Sequence, residues 1–86
     1  MFIVSRQIGE SLLLDGDITL TLAVVGENFA DFGLYRGGLC VGHATLVASE
    51  LRPVMRGVRG IVVKHLANGR LRLGFDFSCG MVFKRL

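Results

Sequence analysis

The sequence has one proline, one tyrosine, no tryptophan and two cysteines in 86 residues. One proline beside twelve glycines suits a protein of strands and turns. Cys40 and Cys79 are too few for the disulfide framework of a small secreted domain. No basic n-region followed by an apolar h-region opens the chain, so no signal peptide is expected. The expected setting is the cytoplasm, with reduced thiols. No apolar run approaches the length of a membrane-spanning helix, and no membrane partner is expected. Catalytic signatures are also scarce. Ser5, Ser11, Ser49 and Ser78 sit in no nucleophile elbow, and neither His43 nor His65 has a context that marks a base. "GENFADFGLYRGG" has glycines without dinucleotide or P-loop spacing. The expectation is a protein that is not an enzyme and carries no cofactor. Cys40-x-x-His43 has a ligand-like spacing, but residues three apart on a strand point to opposite faces, so no metal is expected there either.

What is present is apolar and strand-like. Apolar residues make up 51% of the chain and glycines number 12, which suits strands and turns around a core. A single domain this small buries roughly 60% of its unfolded surface, so pairing with a second unit would help it. The net charge of +3 is unevenly placed. The first fifty residues hold Arg6 and Arg36 against six carboxylates; the remainder holds eight cations against Asp76 alone. Such asymmetry points to a polyanion partner for the second half, or to attraction between unlike halves.

Period-two alternation predicts the strands. "FIVSRQ" puts Phe2, Val4 and Arg6 on one face. "SLLL" ends at an Asp15-Gly16 turn. "ITLTLAVV" alternates cleanly, and "FADFGLY" puts Ala30, Phe32 and Leu34 on the core face. "LCVGH" is a fifth short strand. "TLVASEL" reads as a short helix over about 45–52 with Thr45 as its cap, closed by Pro53. Residues 53–59 read as a linker. A second run follows in 60–86, "IVVKHL", "RLRLGFDF" and "MVFKRL", with Asn68-Gly69 as a strong hairpin signal. Placing 19–45 on 60–86 without a gap lays strand on strand, turn on turn, and Gly33 on Gly74, which suggests an internal repeat.

The basic residues follow the same alternation. Arg70 and Arg72 alternate with Leu71 and Leu73 and share an outward face. Arg6 closes the Phe2–Val4 stripe, and Arg85 closes the Met81–Phe83 stripe. Two edge-like strands with apolar stripes ending in arginine suit single-stranded RNA, whose bases pack on apolar side chains while arginine takes phosphates or base edges.

Ser5-Arg6-Gln7-Ile8-Gly9-Glu10-Ser11-Leu12, followed by Ile18-Thr19-Leu20-Thr21-Leu22, by a strand carrying Gly33, and by His43, resembles the carbon storage regulator family (CsrA/RsmA) of small bacterial translational regulators. The likeness runs without a gap from Met1 to His43, half of the chain, and "RLRLGFDFSCGMVFKRL" is similar to the same family's third-to-fifth-strand segment. The resemblance implies a mostly β fold: a CsrA-like antiparallel unit in 1–52, and a partial unit in 60–86 that lacks a first strand. The strands would interleave as a homodimer or an intramolecular pseudo-dimer. It also implies binding of messenger leaders or small RNAs carrying GGA motifs, across the first strand of one unit and the last strand of the other. Carried over by position, Val4 and Arg6 fit the first strand. The family's arginine after the histidine is replaced by Ala44, and Arg36-Gly37-Gly38 stands where the family has an alanine-proline-lysine type of loop. Arg85, Lys84 and Phe83 fall on Ala44, His43 and Gly42, so the expected RNA site is a composite of Val4, Arg6, Phe83, Lys84 and Arg85, with Arg36 nearby. The second reading is a degenerate, protein-binding or decoy member, whose partner is a protein antagonist or a regular family subunit and whose RNA affinity is weak or absent.

Overall fold

Alternating apolar residues punctuated by glycine turns leave this chain few choices but antiparallel sheets. The structure, a computed structural model, describes residues 1–78 and 80–86. Among them run β1 (Phe2–Arg6), β2 (Ser11–Leu14), β3 (Ile18–Val25), β4 (Phe29–Arg36), β5 (Leu39–Val47), β6 (Arg52–Met55), β7 (Val58–His65), β8 (Leu71–Phe77) and β9 (Phe83–Arg85), with a short 3-10 turn at Ala67–Gly69. A four-stranded sheet has the order β1-β8-β7-β6, and a five-stranded sheet the order β5-β4-β3-β2-β9. Asp15 and Gly16, and again Asn68 and Gly69, take positive φ, as the two turn positions of such hairpins require.

The core lies between the sheets. Leu12, Leu14, Leu20, Leu22, Phe32 and Leu46 face it from one side, and Val58, Val62, Leu71, Leu73 and Phe75 from the other. The sheets approach closely at Gly60, where a Cβ would lie 2.7 Å from a Leu46 methyl. A side chain at position 60 would force the sheets apart.

Two strands cross between the halves of the sequence. β1, the first strand, pairs with β8, placing Ile3 opposite Gly74. β9, the last strand, pairs with β2, placing Arg85 opposite Leu12. The first strand thus joins the sheet of the second half, and the last strand the sheet of the first half.

The expected helix over 45–52 does not form. β5 continues to Val47 because Ala44 and Leu46 keep a period-two core face, and bends follow at Ala48–Glu50. The Thr45 hydroxyl, expected as a cap, instead donates to Asp31 Oδ1 at 2.6 Å. The stretch expected as a linker, 53–59, is strand and turn: β6 and β7 form a hairpin around Arg56-Gly57, with Gly57 at φ +80°.

The repeat has a register that can be checked pair by pair. In β3–β4, Leu22 opposes Phe32, a bulge intervenes, and Val24 opposes Asp31. In β7–β8, Val62 opposes Leu73, a bulge intervenes, and Lys64 opposes Arg72. β8 thus matches β4 as the gapless placement has it, while β7 matches β3 one residue off, because the loop before β8 is one residue longer. β5 stands beside β4 as β1 stands beside β8: Ala44 opposes Phe32 as Val4 opposes Leu73, and Leu46 opposes Ala30 as Arg6 opposes Leu71. The first strand expected to be missing from the second run thus has a counterpart in the C-terminal half of β5.

Candidate nucleic-acid interface at the seam of β1 and β9

β1 and β9 are edge strands of different sheets, and they meet where the chain's two ends converge. Ser11 sits at the junction. Its carbonyl accepts from Arg6 Nε at 3.2 Å and from the Leu86 backbone N–H at 3.3 Å. Phe83 reaches from β9 into the rings of Phe2, Phe75 and Phe77, with centroids 5.2, 5.3 and 4.6 Å away, and so bolts one sheet to the other. The Arg85 guanidinium lies 5.3 Å from the centre of the Phe2 ring, and its Nη2 approaches the Ile3 carbonyl at 3.5 Å.

Arg6 is the unusual group. It is 7% exposed because its position on β1 faces inward with Val4. Nε and Nη1 donate to the carbonyls of Ser11 and Ser5, the second at 2.9 Å, while the buried Nη2 has no partner among the described residues. No carboxylate pairs with it among the described residues. Glu10 is the nearest acid by effect, but its Oε1 accepts from the Gln7 N–H at 2.9 Å and lies 3.9 Å from Arg70 Nη1. Burial pulls the Arg6 pKa below its ordinary value; Glu10 opposes that shift, and the charges of Arg85 and Arg70 add to it. Arg6 thus feels the positive charges of Arg85 and Arg70 as well as the Glu10 carboxylate.

The expected site residues divide accordingly. Arg6 and Arg85 come together, although their strands lie in different sheets. Val4 is 3% exposed and Phe83 is half-buried among rings, so both serve the core. Lys84 and Arg85 are exposed. Arg36 lies on β4, separated from β9 by β3 and β2, and its Nε bonds Asp17 Oδ2 at 3.0 Å. Cys40 and His43, expected on opposite faces, approach to 3.7 Å between Sγ and Nε2. The bulge opposite Leu34 and Tyr35 inserts Val41 and turns Cys40 to the side of His43. Among the described residues no group of three or more metal-capable side chains assembles, and Cys79 lies outside them. No helix there is long and apolar enough to cross a membrane.

Beyond the expected site, register reveals a second cationic region that single-strand alternation showed only in part. On the outer face of the four-stranded sheet, Ser5, Arg72 and Lys64 form one cross-strand row, Ile3, Gly74 and Ile61 the next, and Asp76 and Arg59 a third. Arg59, Lys64 and Arg72 are exposed, and among the described residues none has an ion pair within 4.0 Å. The alternation of Arg70 with Arg72 pointed to this face, but the partnership of Arg72 with Lys64 passes through the β7 bulge, which no local pattern discloses.

Searches of protein-family models, of curated proteins and of solved structures each find no match to this chain.

Proposed function

We propose that the protein is an RNA-binding post-transcriptional regulator that takes a single-stranded GGA-type motif at the seam of β1 and β9. The observation that carries this reading is Arg6. A buried guanidinium without a carboxylate is expensive to desolvate, and a well-packed apolar residue is commonly as stable or more so. The fold itself supplies that alternative: at the matching position beside β4 it has Leu46, which is fully buried. A cation kept at one of two equivalent places, with a donor unused and with Arg70 and Arg85 beside it, is suited to an anionic ligand. Arg85 is the exposed member that faces a base edge or phosphate, and Arg6 supports it from behind. The likeness of residues 1–43 to the translational regulators supplies the GGA specificity in this proposal.

The reading as a strand-pairing decoy has less support. One edge of the four-stranded sheet, β6, carries Arg52 and Pro53, residues that blunt an edge against pairing.

The test is a gel shift of a hairpin with GGA in its loop, at stated salt. Arg85→Ala removes a contact of the kind worth ~1–3 kcal/mol, so binding weakens about fivefold or more. Unchanged affinity in that variant, or no specific binding by the wild type at low salt, refutes the proposal.

A further inference from the structure

The two outer faces of this molecule occupy equivalent positions on equivalent scaffolds, yet their chemistry differs. Arg72 on β8 corresponds to Asp31 on β4, Lys64 on β7 to Val24 on β3, and Arg59 to Thr19. In the middle row Ile3 and Ile61 correspond to His43 and Thr21, flanking Gly74 and Gly33. Side chains on the outer face of the five-stranded sheet bond to one another. Thr45 donates to Asp31 at 2.6 Å, the Ser11 and Thr21 hydroxyls bond at 2.7 Å, and the Tyr35 ring lies over Gly33. On the four-stranded sheet Met1 and Ile3 lie over Gly74, and Arg59, Lys64 and Arg72 make no side-chain hydrogen bond or ion pair among the described residues.

A scaffold that folds with Asp31 and Val24 at these places has no structural need for Arg72 and Lys64 at their counterparts, whereas Arg59 has Asp76 opposite it. Lys64 and Arg72 sit directly opposite each other on strands about 5 Å apart, and like charges so placed are destabilising. We infer that the outer face of β1, β8 and β7 is a second contact surface for a single polynucleotide strand. On it the sugar-phosphate backbone runs along Arg72 and Lys64 while bases rest on the Ile3–Ile61 row. The face is continuous with the seam, because β1 belongs to both: Arg85 reaches the Ile3 carbonyl at the strand edge, and the Ile3 side chain is exposed on the outer face. An RNA held at the seam thus has a path for its flanking nucleotides. This inference rests on the proposed RNA function and adds the route of the strand beyond the motif.

The experiment measures binding by fluorescence anisotropy over a salt series, for wild type, Arg85→Ala and the double variant Arg72→Ala/Lys64→Ala. The ligands are a short GGA oligonucleotide, the same motif extended by about ten nucleotides, and a poly-glutamate peptide. All three substitutions are at exposed positions, and circular dichroism verifies the folds. Wild type is expected to bind the extended RNA more tightly than the short one. In the double variant the slope of log affinity against log salt is expected to shrink by about 1.4 for the extended RNA, two lost phosphate contacts on a single strand. Short-RNA binding should stay as in wild type. If the double variant keeps the wild-type slope while Arg85→Ala weakens both RNAs, the outer-face inference is overturned and the seam stands. If wild type binds neither RNA, the functional reading falls and this inference with it. If wild type binds poly-glutamate as tightly as the extended RNA and the double variant loses both, the face serves acidic partners in general, and the polynucleotide assignment is overturned.

Discussion

The four strands β2-β3-β4-β5 and the four strands β6-β7-β8-β1 are the same arrangement built twice from one chain, and they differ most where the fold cares least. Core positions are matched in kind: Leu22 with Val62, Phe32 with Leu73, Leu34 with Phe75, Ala44 with Val4. Two differences break the pattern. One is inside, Arg6 against Leu46; the other is outside, Arg72, Lys64 and Arg59 against Asp31, Val24 and Thr19. Both place positive charge on the copy that includes β1. The strand β9 adds Lys84 and Arg85 at the same junction. The scaffold works without charge at the first place and without cations at the second, and under the proposed function these charges serve a ligand.

The sharpest way to break the comparison is to copy the arginine across it. Leu46→Arg puts a guanidinium into the fully buried site beside β4, against Ala30 and close to Gly60. A buried charge without partners costs several kcal/mol, of the order of the whole stability of a small domain. The variant is expected to be unfolded or nearly so in urea titrations, whereas Arg6 is tolerated because the Ser5 and Ser11 carbonyls accept from it. A stable Leu46→Arg protein would show that the two sites differ by chance and not by environment.

Phe83→Ala ranks next. It removes the ring that joins β9 to Phe2, Phe75 and Phe77, and for a half-buried phenylalanine the expected loss is about 2 kcal/mol. Equilibrium unfolding monitors the loss, and faster hydrogen exchange at the Leu86 amide, whose bond to the Ser11 carbonyl would open, locates it. The two central glycines provide the finest comparison. A methyl at Gly33 would meet the Tyr35 ring at 2.8 Å, while one at Gly74 would meet the flexible Met1 side chain. Gly33→Ala is therefore expected to cost about 1–2 kcal/mol and Gly74→Ala less than about 1. Equal losses would mean that both faces are covered with the same rigidity.

Much of the fold was legible because alternation is a strong local signal. β3, β4 and β8 read directly from their leucines and phenylalanines, and Asp15-Gly16 and Asn68-Gly69 gave their turns because both residues of each must adopt positive φ. The failure at 45–52 has a clear cause. "TLVASEL" suits a helix in isolation, but its Leu46 fills the space opposite Gly60, a tertiary demand that propensity does not express. The site was half legible. Arg85 was set beside Arg6 by laying it on Ala44, yet β9 pairs with β2 and the strand that matches β5 is β1; the burial of Arg6 depends on which face of β1 meets the core, and the Phe2–Val4 stripe already held that information. Lys64 escaped notice because the bulge at Val63 shifts its register, and a bulge is set by the partner strand as much as by the residues in it.

The central claim is that Arg6 is retained for a ligand and not for the fold, and Arg6→Leu, which installs the residue of the equivalent site, tests it directly. Urea unfolding and GGA-hairpin affinity are measured on the same preparation. The account predicts stability equal to or above that of the wild type, since a well-packed apolar replacement of a buried charge is neutral or stabilising by about 1–4 kcal/mol. It predicts clearly weaker RNA affinity, because Arg85 loses the positive charge that backs it at the seam. A variant that is destabilised and binds RNA as the wild type does would contradict it.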